Sequence, residues 1–225
     1  MSVVIPALDE QSQIERALSS TRLPRVERIV VDGGSTDGTS ETARFLRAEK
    51  VIHALPGRAA QMDAGLREAR GEIVLFLHAD TRLEAAWLSQ LAEAMTDPAT
   101  AGGAFRLGFD RAGWIYRLLE AGVWLRCRML RLPYGDQGLF VRRKLLLEGG
   151  GVPRTPIFED LDLVERIRAA GRLVLLPARA WTSTRRYECN GLVRQLARNL
   201  LGLGAYLLRL DRDRVAAWYR ARPAR

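Results

Sequence analysis

Four short apolar runs rich in β-branched residues punctuate the first hundred positions: Ser2 to Pro6, Val26 to Asp32, Lys50 to His53 and Glu72 to Leu77. None alternates apolar with polar as a half-solvated strand does, so each predicts a strand buried on both faces. The segments between and after them, Gln11 to Ser20, Gly38 to Ala48, Arg58 to Arg70 and Glu84 to Met95, carry the spacing of amphipathic helices. Strands and helices in this order predict stacked βα units around a mainly parallel sheet flanked by helices. Thr36 or Asp37 stands where the second helix needs an N-cap.

Past Asp97-Pro98 the rhythm changes. Ala101 to Asp110 and Gln137 to Arg142 predict strands, Trp114 to Leu130 a long basic helix, and Gly149 to Pro153 a tight turn. A helix over Glu159 to Ala170 precedes strand-like pieces at Arg172 to Leu176 and Ala180 to Thr184. An amphipathic helix over Leu192 to Leu210 and a polar, Arg-rich tail complete the chain. No internal repeat or long linker divides it.

Composition narrows the class. The 225 residues are 48% hydrophobic and 27% charged, with 20 Gly and 9 Pro, which excludes a disordered, collagen-like or disulfide-scaffold chain. Cys127 and Cys189 are too few for a disulfide framework or a Cys-rich zinc site and point to a reducing, cytoplasmic setting. No secretory leader or spanning helix is expected: the longest uncharged stretch near the C-terminus, Asn199 to Leu208, is about half of the ~20 residues a bilayer requires. The net charge of +9 is uneven. Residues 1–100 carry 11 basic and 15 acidic side chains, whereas residues 101–225 carry 24 and 11, so the positive field belongs to the second half and favours anionic partners.

In a parallel α/β sheet, ligands bind beyond the carboxyl ends of the strands. The first strand runs into Pro6-Ala7-Leu8-Asp9-Glu10, the second into Asp32-Gly33-Gly34-Ser35, the fourth into His78-Ala79-Asp80. A carboxylate beside a Gly-rich turn suits ribose hydroxyls or base N–H groups, although Asp32 equally fits a turn that caps a helix. Asp80 at a strand end is a natural hard-cation ligand, since Mg²⁺ or Mn²⁺ shared with a diphosphate requires only one or two protein carboxylates. Glu159 and Asp160 form an adjacent carboxyl pair in the basic half, placed either to cap a helix or to serve as a general base, and Asp136 is a second carboxylate there. No GxGxxG follows the first strand and no P-loop, GxSxG elbow or HExxH occurs.

Taken together, Val3-Val4-Ile5-Pro6-Ala7-Leu8-Asp9-Glu10, Val30 to Thr39, Leu75 to Thr81, Gly135-Asp136-Gln137-Gly138 and Phe158-Glu159-Asp160 resemble family 2 glycosyltransferases of the GT-A fold. The resemblance spans residues 2–170. It implies a single GT-A type domain over residues 1–188, with a nucleotide-binding half (1–100) and an acceptor half (101–188), followed by a C-terminal helix and basic tail (189–225). It further implies a nucleotide-diphosphate-sugar donor, a divalent cation and inversion at the anomeric carbon. Pro6, Ala7, Leu8, Glu10 and Asp32 would hold the nucleoside, Asp80 the metal, and Asp160 would be the general base with Glu159 beside it. Two positions depart from the family pattern: His78 stands where the first Asp of a DxD motif is common, and Asp9 replaces a frequent Asn.

Around this frame, Arg58, Gln61, His78, Ala79, Asp136 and Gln137 are candidate donor contacts, and Arg185 and Arg186 suit a diphosphate. The acceptor is open; a lipid-linked one is conceivable, because Trp114, Leu118, Leu125 and Met129 beside Arg117 and Arg128 make a basic amphipathic helix suited to peripheral membrane contact. Two other readings compete. A nucleotidyltransferase of similar fold would carry a basic Gly-rich first loop, whereas Leu8-Asp9-Glu10 is acidic. A non-catalytic basic module could bind anionic lipid or nucleic acid, but no nucleic-acid reader motif is present and no such partner is expected.

Overall fold

The central strand runs carry apolar residues on both faces because helices cover the sheet on both sides, whereas the edge strand Lys50–His53, expected to be buried on both faces, is only partly buried. The computed structural model describes residues 1–220 and begins with β1 (Ser2–Ala7), β2 (Glu27–Asp32), β3 (Lys50–His53) and β4 (Ile73–Phe76). Side chains alternate between the two faces of a strand. Val3 and Ile5 therefore join one core cluster with Leu18, Val30, Leu75 and Trp87, while Val4 joins the opposite cluster with Ile29, Val31, Met62 and Leu66. β1 pairs in parallel with both β2 and β4, and β2 with β3. The crossovers carry α1 (Ile14–Ser20), α2 (Thr39–Phe45) and α3 (Arg58–Glu68). The N-cap of α2 is Gly38, at φ 84, rather than the expected Thr36 or Asp37; Asp37 stands one residue earlier, where its Oδ1 accepts the Thr39 N–H (3.1 Å).

The second half adds β5 (Thr81–Leu83), α4 (Trp87–Ala94), β6 (Thr100–Phe109), α5 (Trp114–Leu130), a 3₁₀ turn at Gly135–Gln137 and β7 (Leu139–Arg142). These are followed by α6 (Arg143–Glu148), α7 (Glu159–Ala170), β8 (Arg172–Thr182), α8 (Arg185–Asn190), α9 (Leu192–Leu207) and α10 (Arg212–Arg220). All eight strands form one sheet in the order β3-β2-β1-β4-β7-β6-β8-β5. β7 runs antiparallel to β4 and β6, and β5 antiparallel to β8, while β6 and β8 pair in parallel. The fold is a single α/β domain with a mainly parallel sheet flanked by helices, as the sequence predicts.

Several local expectations change. The two strand-like pieces after residue 172 are one strand, β8, whose register against β6 slips between Phe105 and Arg106, opposite Pro177-Ala178. A proline cannot donate to the ladder, so its presence at an irregularity is where a continuous strand tolerates it. The tail expected to be polar contains α10, which buries Val215 and Ala216 and is tied back by Arg212 to Asp162 of α7 (2.7 Å). The rest of that expected tail, residues 221–225, lies outside the described residues. The short helices α6 and α8 and the three-residue β5 carry too few periods to show in the sequence pattern.

Two buried carboxylates fasten the second half. Glu120, the one acid of α5, accepts the Phe109 N–H (2.8 Å) and two arginines, Arg117 (2.6 Å) and Arg179 (3.0 Å). With Cys127 it is the buried part of α5; Trp114, Leu118, Leu125 and Met129 face solvent. Asp63, in α3, accepts the Val152 N–H (3.0 Å), Arg67 (3.1 Å) and Arg154 (3.2 Å), which pins the Gly149–Pro153 turn against α3. Gly151 has φ +95 and approaches so closely that a Cβ there would lie 2.2 Å from Asp63 Oδ1.

Burial alone would raise the Asp63 pKa, but the hydrogen bonds from Val152, Arg154 and Arg67 outweigh it and hold the carboxyl below its ordinary range. A lowered pKa adds stability above the unfolded value, and that stability is lost as pH falls through the folded one. Asp63→Ala leaves the Val152 N–H without a partner and is expected to cost about 1–3 kcal/mol in urea unfolding at pH 7. The gap between wild type and variant should narrow below about pH 4; a gap independent of pH would show that the charge contributes nothing.

Candidate active site

Parallel pairing brings the carboxyl ends of β1, β2 and β4 to one edge, and the loops leaving them are cross-linked there. Asp9 Oδ1 accepts the Thr36 N–H (2.8 Å), the Glu10 N–H donates to Thr39 Oγ1 (2.9 Å) and the Gln11 N–H to Asp37 Oδ2 (3.0 Å). Asp9 takes a positive φ of 53 to do so, a conformation Asp tolerates better than most residues. The result is a ledge formed by residues 6–10 and 32–38. Pro6 and Ala7 form its floor within β1, Leu8 is 46% exposed on its rim, and Ala79 packs into the core beneath the loop after β4.

Asp32 shapes this ledge from within. Its Oδ1 accepts the N–H groups of Gly34 (3.1 Å) and Ser35 (2.8 Å) and the Ser35 hydroxyl (2.6 Å), and its Oδ2 accepts Ser40. Burial works to raise its pKa, but these bonds, led by Ser35 and Ser40, carry it below the usual range. Gln61 is likewise turned inward: its Nε2 donates to the carbonyls of Ala7 (2.7 Å) and Val31 (2.9 Å), stitching the ends of β1 and β2 together.

Beside the ledge opens a cleft of about 590 Å³, lined on one side by Arg58, His78, Asp80, Asp136, Glu159, Asp160 and Arg186. Asp160 lies in the first turn of α7, after Phe158 at φ 69, where the helix dipole favours negative charge. Its Oδ2 accepts the Gly135 N–H (2.8 Å) and its Oδ1 the Leu161 N–H (2.9 Å), so two backbone amides fix the carboxylate. Gly135 is wedged between site groups: a Cβ there would sit 3.1 Å from His78 Nε2 and 3.3 Å from Asp160 Cβ. Glu159 pairs with Arg58 (3.2 Å); burial, only partly offset by Arg58, raises its pKa. Burial also opposes charge on Arg58, but Glu159, Asp160, Asp136 and Asp80 together keep it protonated. Burial, then the nearby Arg58 and Arg186, hold His78 well below its ordinary pKa, so its imidazole is neutral.

The structure therefore gathers Arg58, His78, Asp80, Asp136, Glu159, Asp160 and Arg186 in one cleft and places the remaining candidates elsewhere. Arg185 forms a two-point ion pair with Glu10 (2.8 and 2.9 Å) rather than facing the cavity. Burial raises the Glu10 pKa despite that partner, and Asp80 adds to the rise. Gln137 points into the protein, where Nε2 donates to the Phe105 carbonyl (2.9 Å) and Oε1 accepts the Tyr134 N–H (3.2 Å). Asp32 sits two strands from β4 with its oxygens turned into its own loop, outside the cleft that Asp80 and Asp160 share. Residues that sequence reasoning missed line the opposite wall, among them Tyr187, Gln195, Asn199 and Tyr219. A signal was present in Gln195 and Asn199, uncharged polar residues four apart on a helix whose other polar side chains are mostly arginines.

Among the described residues no group of three or more His, Cys, Asp or Glu side chains could enclose a metal ion. Asp80 fits a different arrangement: a carboxylate on the cleft wall, bonded through one oxygen to Thr81 (3.3 Å), suits a hard cation whose remaining ligands come from water and a substrate diphosphate.

Comparison with known proteins agrees with the fold. Residues 2–147 match Glycosyl transferase family 2. The chain belongs to this family. An uncharacterized glycosyltransferase of Mycobacterium tuberculosis is 30% identical over 177 residues, covering 76% of this glycosyltransferase and 80% of the relative. Among solved structures, Staphylococcus aureus TarS with UDP-GlcNAc aligns with a TM-score of 0.61 at 18% identity, over 81% of this chain and 58% of that one. Glucosyl-3-phosphoglycerate synthase from Mycobacterium tuberculosis, with Mg²⁺ and UDP, gives 0.60 at 21% identity over 89% and 78%. A Pyrobaculum calidifontis mannosyltransferase with GDP-Man and Mn²⁺ gives 0.61 at 20% identity over 88% and 63%. At these identities the three structures establish the fold.

Because the Gln61 amide bonds two strand-end carbonyls, its loss should register as instability. Gln61→Leu removes two hydrogen bonds in a site only 4% exposed, although the Ala7 carbonyl keeps the Gly33 N–H, and is expected to lower unfolding free energy by about 1–3 kcal/mol. Wild-type melting with impaired nucleotide affinity would instead assign Gln61 to the ligand.

Proposed function

We propose that this glycosyltransferase moves a sugar from a nucleotide diphosphate to an acceptor hydroxyl with inversion. The observation that carries the reading is Asp160, held by two backbone amides in the cleft that also contains Asp80, Arg58 and Arg186. The nucleoside would lie on the ledge of Pro6, Ala7, Leu8 and Glu10, shaped from beneath by Asp32, with its diphosphate reaching into the cleft. UDP-GlcNAc, UDP and GDP-Man in the structural relatives support a donor of this class.

Asp160 then accepts the proton of the attacking hydroxyl as that oxygen bonds to the anomeric carbon and the bond to the diphosphate breaks. Arg58 and Arg186 offer guanidinium groups to the diphosphate oxygens, and neutral His78 offers a hydrogen bond without adding charge. Glu159 keeps Arg58 in place and Arg185 keeps Glu10 in place, so each acts through its partner. Asp80 would hold Mg²⁺ or Mn²⁺, which neutralises negative charge on the leaving diphosphate; relatives carrying these ions support that assignment. Positioning and electrostatics supply most of the rate in this scheme.

A panel of nucleotide sugars, assayed for slow hydrolysis with and without Mn²⁺, identifies the donor. Asp160→Asn keeps shape but cannot take up a proton and is expected to reduce transfer about 10²- to 10⁴-fold, with donor affinity by calorimetry retained. Near-wild-type turnover would eliminate Asp160 as the base.

Membrane contact is the remaining element. On α5, Trp114 is 78%, Leu118 60% and Met129 72% exposed, flanked by the arginines Arg117, Arg128 and Arg131, while the acid of that helix points inward. No described helix is long and apolar enough to cross a membrane. An exposed apolar stripe bordered by cations suits the surface of an anionic bilayer. Co-sedimentation with phosphatidylglycerol vesicles is expected at low salt, weakening as salt rises and failing for the Leu118→Ser/Met129→Ser double variant; absence of binding at low salt would remove the contact.

A further inference from the structure

The cleft has two chemically different walls. The one containing Asp80 and Asp160 is ionic. The other, from Phe158 and the C-terminal helices, is built of amides, phenols and apolar side chains: Phe158, Tyr187, Gln195, Asn199, Leu203 and Tyr219. Resting on the transferase reading, we propose that this second wall holds the acceptor and that the acceptor is an uncharged, multiply hydroxylated molecule, a glycoside or polyol.

The hydrogen-bonding groups of this wall form a chain. Asn190 Nδ2 donates to Gln195 Oε1 (2.8 Å), Gln195 Nε2 to Asn199 Oδ1 (2.9 Å), Asn199 Nδ2 to the Tyr187 hydroxyl (3.4 Å), and the Tyr219 hydroxyl to Asn199 Oδ1 (3.5 Å). An amide nitrogen has two hydrogens and a carbonyl two lone pairs, so Gln195 and Asn199 each keep capacity after holding one another in position. Tyr187 accepts in this chain, and among the described bonds its own proton goes to no acceptor. Burial first, then the Asp136 charge, push its pKa up to about 12, so the hydroxyl remains a donor. Asp136 lines the same cleft, and its Oδ1 is buried without a hydrogen-bond partner. A phenol that can donate, beside amides that can both donate and accept, matches a hydroxyl, which does both. Phe158 and Leu203 supply apolar surface for the C–H face of a sugar ring or a carbon chain.

Charge excludes the alternative. A phosphate or carboxylate on this wall would add negative charge beside Asp136 and Asp160, where the nearby cations Arg126 and Arg186 already act on Asp136. Arg198 donates to the Tyr219 carbonyl and stacks on the Tyr219 ring, Arg212 pairs with Asp162, and Arg58, held by Glu159, is taken up by the donor diphosphate. Arg154, 75% exposed at the rim, is held by Asp63. Arg186 is the cleft-lining cation without an ion pair among the described residues, and an anionic acceptor would compete with the donor diphosphate for it.

The test uses the full chain with whichever nucleotide sugar it hydrolyses, adding glycerol or methyl α-mannopyranoside as neutral probes and 3-phosphoglycerate or glucuronate as anionic ones, with products weighed by mass spectrometry. A neutral probe is expected to give a glycoside product with kcat/KM at least about 10-fold above either anion. Asn199→Leu is expected to raise the KM for that probe roughly 5- to 10-fold with a smaller change in donor KM, and Tyr187→Phe, which keeps the ring, to do the same. Preference for an anionic probe, failure of both neutral probes while hydrolysis persists, or equal loss of donor and acceptor KM in both variants overturns this inference alone. Absence of hydrolysis with every donor overturns the transferase reading and this inference with it.

Discussion

Helix α3 is the part on which the rest of the site depends, because three of its side chains tether three separate segments. Gln61 joins the ends of β1 and β2, Asp63 holds the Gly149–Pro153 turn, and Arg58 pairs with Glu159 at the start of α7. The first contact fixes the ledge beside the cleft and the other two fix the loop that precedes α7 and the start of α7, which carries Asp160. Each uses a buried or half-buried polar group, and removing one member of such a contact is costly. With the Gly135–Asp160 and Glu10–Arg185 contacts, this helix helps to hold the two halves of the cleft in their relative position.

The excess of arginine in the second half is less free than its formal charge suggests. Arg142 donates to the carbonyls of Met95, Thr100 and Asp97, and Arg166 to those of Gly149 and Gly151. These guanidinium groups satisfy loop carbonyls that no strand or helix reaches, a role for which five donors in a planar fork are well suited. The acids of the cleft, by contrast, crowd together. Asp80, Asp136, Glu159 and Asp160 surround Arg58, and burial or mutual repulsion raises the pKa values of Asp136 and Glu159. Such a cluster awaits a cationic or proton-donating ligand.

The strands β1 to β4, the long α5 and the start of α7 were legible because their patterns are long or their ends marked by turns and acids. β8 was read as two pieces because Pro177 interrupts a strand that the bulge lets continue. Side-chain direction was the larger gap. Gln61 and Gln137 have the chemistry of ligand contacts, but their amides serve backbone carbonyls instead. Arg185 and Arg186 are adjacent on a helix and so point in different directions; one reaches Glu10 and the other the cleft. The neutral wall escaped because its residues come from Phe158 and from helices beyond residue 185, and only the folded topology juxtaposes them.

The pairing of Glu10 with Arg185 joins groups 175 positions apart. During synthesis the early strands and their helices have their neighbours as soon as they leave the ribosome, and chains of this kind consolidate from the N-terminal side. The wall formed by α8 to α10 is added last. A nascent chain halted before residue 185 would own the ledge and the cleft carboxylates yet lack the wall to which Tyr187, Gln195, Asn199 and Tyr219 contribute.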